Sequence, residues 1–89
     1  MKPNNIDAIH ILNNINILSL NELKHEKYIF IDLIALCSNL INHIIDEDGD
    51  KINIAYKKII SFPRIYMESY SDWDNPIFIH IERLKQINL

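Results

Sequence analysis

The segment Tyr28–Ile45 constrains this chain more than any other, because only one secondary structure reconciles its pattern. Thirteen of its eighteen residues are apolar. At about 100° per residue, Asp32, Ser38, Asn39, Asn42 and His43 all fall within one arc of roughly 140°, and apolar side chains fill the remainder. A strand would scatter those polar residues over both faces, so the spacing predicts a helix with a wide apolar face, the central element of the fold. A membrane span is not expected, because a mid-helix Asp costs about 2.5–3.5 kcal/mol on insertion.

The other segments follow the same period less strongly. Over Ile6–Leu18, Ala8, Ile11, Leu12, Ile15 and Leu18 share one face opposite Asp7, His10, Asn13, Asn14 and Asn16. Helix is the leading reading there, and a hairpin turning at Asn13-Asn14 is the alternative. Ser19-Leu20-Asn21-Glu22 has the form of a capping box and predicts a helix start. After the loop Asp46–Asp50, the residues Ile52, Ala55, Tyr56, Ile59 and Ile60 recur at helical spacing until Phe62-Pro63, where proline predicts a stop. Ser61 would then cap a short helix over Arg64–Tyr70. Asp74-Asn75-Pro76 reads as an N-cap followed by proline at the first helical position. That places Ile77, Ile81 and Leu84 inward, with a strand through Ile77–Ile81 as the alternative.

The expected fold is therefore all-α, a compact bundle of four to five helices forming one domain over residues 1–89. An α+β fold with an N-terminal hairpin is the minor alternative. Composition agrees, since one glycine and three prolines supply little material for the tight turns of a β-barrel. Twenty isoleucines and eleven asparagines, with no valine or threonine, suggest A/T-rich coding and a bacterial or phage gene. The single cysteine excludes an internal disulfide, and Met1–Asp7 contains no apolar leader, so a cytoplasmic location is expected.

Charge narrows the function. The chain carries a net −3, with −4 concentrated in Asp46-Glu47-Asp48-Gly49-Asp50 and +3 over residues 51–70. An acidic chain has no general footprint for nucleic acid, so direct binding to DNA or RNA is not expected. The acidic loop fails as an EF-hand, because counting from Asp46 puts Lys51, Asn53 and Lys57 where glycine, an apolar residue and glutamate are needed. A solvated turn with carboxylates near the following helix N-terminus is the simpler reading. His25-Glu26 lacks the second histidine of a zinc protease motif, since Ile29 stands there. Cys37 falls in the middle of the apolar face, where a thiol is buried and inert. No metal, cofactor or catalytic residue is indicated, and an enzyme is disfavoured.

Phe62, Tyr66 and Tyr70 recur at i, i+4 and i+8, with Trp73 and Phe78 close behind. At helical spacing such a stripe packs into a core more often than not. If instead Tyr66, Tyr70 and Trp73 are exposed beside Glu68, Asp72 and Asp74, they form an acidic aromatic patch suited to a basic protein partner. By elimination, the expected function is inhibition by binding: an immunity protein or antitoxin that occludes a basic toxin, such as a nuclease. The candidate contacts are Asp46, Glu47, Asp48 and Asp50 in the loop, with Tyr66, Tyr70, Asp72, Trp73 and Asp74 in the patch. The alternatives are a homodimeric assembly or chaperone-like subunit and a phage-type nucleic-acid mimic.

Overall fold

With so few residues that break a helix, most of the chain should be helical, and a computed structural model bears this out. It describes residues 2–70 and 74–89. Four helices run through them: α1 (Pro3–Leu23), α2 (Ile29–Ile45), α3 (Gly49–Ser69) and α4 (Pro76–Lys85). The described residues contain no strand, so both strand alternatives, the hairpin at Asn13-Asn14 and the strand at Ile77–Ile81, are replaced by helix.

One spacing organises the core. Buried residues on α1 are Ala8, Leu12, Ile15 and Ser19, and on α2 Phe30, Leu33, Cys37, Leu40 and Ile44. On α3 they are Ala55, Ile59, Phe62 and Tyr66, and on α4 Ile77, Ile81 and Leu84. Steps of three and four alternate throughout, which is the seam that lets side chains of near-antiparallel helices interlock at a shallow crossing angle. The helices occupy the corners of a square. Each packs on its neighbours in the order α1, α2, α3, α4 and back to α1, and among the described residues the diagonal pairs do not approach closely along their backbones. This is a four-helix bundle with short connections.

Two expected helix boundaries are corrected. Ser19-x-x-Glu22 does not begin a helix; Ser19 lies inside α1, fully buried. A capping box sets a start only where the preceding residues are not already helical, and here the face of Ala8, Leu12 and Ile15 carries the helix past it. The second correction is at Pro63, which sits inside α3 instead of ending it. A mid-helix proline costs about 3 kcal/mol. Breaking there would strand Phe62 and Tyr66 on separate elements, whereas a continuous helix stacks them on one face, both against Phe30. Ser61, expected to cap a new helix, donates its hydroxyl to the Lys57 carbonyl at 2.8 Å. The start of α4 follows expectation, with Asn75 accepting from the Ile77 amide at 3.0 Å and Pro76 at the first position.

Among the described residues, the buried Ser19 hydroxyl has no hydrogen-bond partner. An unsatisfied buried polar group destabilises, and alanine is the better helix former. Ser19→Ala should therefore raise stability by about 1 kcal/mol in urea unfolding. A helix-starting serine would give a loss of similar size.

Candidate functional site

The acidic turn between α2 and α3 is held from both sides. Closing α2, the Asp48 amide donates to the His43 carbonyl and the Glu47 amide to that of Ile44, both at 3.1 Å. This paired pattern places Glu47 in the left-handed region at φ 57°. Glycine is the usual occupant of such a position, because a Cβ is disfavoured there. The chain's one glycine stands two residues later, at the first position of α3, and does not use its freedom. Opening α3, the Asp48 carboxylate accepts from the Lys51 amide at 3.2 Å.

Asp48 is thus a structural cap, while Asp46, Glu47 and Asp50 point into solvent. Lys51 reaches Asp48 at 3.8 Å, but both side chains are well exposed and such a pair contributes little. Lys57, Lys58 and Arg64 lie two to four turns further along α3. The basic stretch therefore leaves most of the acidic turn unneutralised.

The second group of candidates divides. Tyr66 is fully buried, which corrects its assignment to an exposed patch. Its ring lies 5.3 Å from Phe30, 5.2 Å edge-on from Phe78 and 4.8 Å from the stacked ring of Tyr70. The cause is position: Tyr66 continues the seam of Ala55, Ile59 and Phe62. Tyr70, one turn on, is half-buried and Asp74 is exposed. Asp72 and Trp73 lie outside the described residues.

Lys27, Glu22 and Asn75 gather over the Tyr66 hydroxyl. The Lys27 ammonium donates to it at 3.0 Å, lies 3.4 Å from Glu22 and sits 5.3 Å from the Tyr70 ring centre. The Asn75 amide donates to the other Glu22 oxygen at 3.2 Å. This network ties the α1–α2 turn to the end of α3 and the start of α4. No sequence pattern announces it, because its members are up to 53 residues apart.

The two candidate groups do not meet. The acidic turn precedes α3, and Tyr70 and Asp74 follow it; 21 helical residues span about 30 Å. They occupy opposite ends of a bundle 36 Å long.

Elsewhere the structure offers shallow ground. A groove of about 360 Å³ between α2 and α3 is floored by Ile29, Leu36, Phe62 and Ile65, with Asp32 and Lys58 among its lining residues. Among the described residues no group of three His, Cys, Asp or Glu side chains is placed to hold a metal, and no helix is long and apolar enough to cross a membrane. His80 is held below its ordinary pKa, by burial first and then by Arg83. Cys37 lies in the core, where burial pushes its thiol from 9.0 up to about 12. Compared with known proteins, the chain matches no protein family, no curated protein and no solved structure.

The shift at Cys37 has a sign that can be measured. Above pH 9.0 the unfolded thiol ionises while the folded one keeps its proton up to about 12. The unfolded state then binds fewer protons, so this group's contribution to stability declines as pH rises through that window. Cys37→Ala removes the group, and its urea midpoint should fall less steeply than the wild type's above about pH 9. Equal slopes would show that the thiol is not buried in the folded state.

Proposed function

We propose that this chain is a small acidic inhibitor that works by binding another protein: an immunity protein or antitoxin whose α2–α3 turn plugs the basic site of a toxin, such as a nuclease. One observation carries the reading. Asp46, Glu47 and Asp50 are exposed on a turn clamped by the end of one helix and the capped start of the next. A turn whose backbone is fixed in advance loses little freedom on binding, and at the tip of a narrow bundle its carboxylates can enter a concave site. A nuclease must present positive charge to phosphates, so a cluster of carboxylates complements it.

The backbone at Glu47 supports the same reading. A glutamate held where glycine is favoured costs stability, and strain of this kind is commonly kept where a side chain is needed for function. Glu26 occupies a similar left-handed position in the α1–α2 turn, but only Glu47 has acidic neighbours on both sides. Tyr70 and Asp74, with Asp72 and Trp73 near them in sequence, belong to a separate zone for a partner long enough to reach the far end. A nucleic-acid mimic would use the same carboxylates and would be displaced from its target by DNA.

The test starts from the protein that co-purifies stoichiometrically when this chain is expressed with its neighbouring genes. With that partner in hand, the triple variant Asp46→Asn, Glu47→Gln, Asp50→Asn should associate at least about tenfold more slowly at low salt, with a flatter salt dependence. Unchanged on-rates would sink the proposal. Glu47→Gly should raise stability by about 0.5–1 kcal/mol in urea unfolding while weakening inhibition. A gain in both would remove Glu47 from the contact surface.

A further inference from the structure

Charge is divided unevenly between the two halves of the bundle. Helices α1 and α2 carry three charged side chains, Asp7, Glu22 and Asp32, whereas the shorter pair α3 and α4 carries nine. Exposed isoleucines on α3 and α4, such as Ile54 and Ile65, therefore stand among lysines and arginines. Those on α1 and α2 do not.

The outer side of the α1–α2 pair can be placed from one hydrogen bond. The Asn16 side chain donates to the Ser38 hydroxyl at 3.3 Å, which sets the antiparallel register of the two helices. On the same side of α1 as Asn16, helical spacing brings Ile6, Asn13, Ile17 and Leu20 outward. On the same side of α2 as Ser38 it brings out Ile31, Asn42 and Ile45. The five apolar residues among these are between 44% and 64% exposed. Asp7 and Asp32 lie roughly 80° or more round their helices from each of these residues, and Asp32 lines the α2–α3 groove on the far side. The face is therefore apolar with asparagines between, and charge is confined to its ends.

We propose that this face is a dimer interface, and that its occupant is a second copy of the chain. Two observations select that occupant. The first is charge. A two-fold interface brings a surface against itself, so charged patches meet their like; a neutral face avoids that repulsion. With the two-fold axis perpendicular to the helices, the end bearing Lys24 and Glu26 in one copy would meet the end bearing Asp46, Glu47 and Lys2 in the other, so both ends bring charges of both signs together. The asparagine amides carry both donors and acceptors and so can pair with themselves.

The second observation is area. Five half-exposed Ile and Leu side chains present on the order of 100 Å² each, about 500 Å² together, at the upper end of the largest apolar patch on an ordinary monomer. With Asn13, Ala35 and Asn42 around them, the face approaches the roughly 800 Å² per partner of a stable interface. Depletion of charge at the centre is also how interface cores differ from the rest of a protein surface.

The dimer uses the apolar face and the inhibitor reading uses the carboxylates of the turn, so each can fail without the other. Sedimentation equilibrium of the full chain at up to about 100 µM should give twice the protomer mass, which an interface of standard size supports at that concentration. Ile17→Asp and Ile31→Asp should each return the monomer with an unchanged helical circular dichroism spectrum. Ile79→Asp, at an equally exposed position on α4, should stay dimeric. A wild-type monomer at the top concentration would overturn the proposal. So would dimers that persist in both face variants, or an Ile79→Asp protein that dissociates as they do.

Discussion

Phe30, Phe62 and Tyr66 form the contact on which most of this structure depends. The three rings lie within 5.3 to 6.2 Å of one another, at the meeting of α2 with α3. Aromatic groups bury more apolar area than any other side chain and gain further from tilted packing. That combined gain keeps α3 helical through Pro63 against a penalty of about 3 kcal/mol. It also fixes the Tyr66 hydroxyl at the rim of the core, where it receives Lys27. Through Lys27 the α1–α2 turn is joined to Glu22, and through Glu22 to the cap of α4. A contact between apolar rings thus determines where a charged network stands and how the α1–α2 and α3–α4 connections are held at one end of the bundle.

The opposite end is governed by backbone geometry and charge. There α2 closes on a left-handed Glu47, and Asp48 caps α3. A helix N-terminus favours negative charge, so Asp48 and Asp50 are stabilised where they stand. Asp46 and Glu47 stand at the C-terminal end of α2, where the helix dipole gives a carboxylate no such gain. The length of α3 keeps this end apart from Tyr70 and Asp74. A surface that looks continuous along the sequence, from the acidic loop to the aromatic stripe, is divided by a helix that joins its two parts only through the core.

How much of this was legible depended on whether the signal was periodic. The helix at Tyr28–Ile45, the inward face of Ile77, Ile81 and Leu84, and the cap at Asn75-Pro76 could all be read from spacing or from a local hydrogen-bonding pattern. The burial of Cys37 followed from its place on the apolar face. Two local signals misled, both because they were outweighed. The capping box at Ser19 was overridden by a helix already in progress, and the stop at Pro63 by aromatic packing across it. Tyr66 was ambiguous for a different reason: helical spacing puts Phe62, Tyr66 and Tyr70 on one stripe but does not say how far along the helix the neighbouring elements reach.

What the amino-acid sequence determined by itself is the class of the fold, most of its core-facing residues and the acid cluster between two helices. Each follows from period or adjacency, which belong to a single strand of chain. Only the tertiary structure decided that Tyr66 is core and Tyr70 its edge, that Lys27, Glu22 and Asn75 meet, and that the two candidate surfaces lie at opposite ends. The neutral face shared by α1 and α2 was decided there too. These are relations between helices, set by which ridges interlock and in what register, and no local pattern encodes that choice.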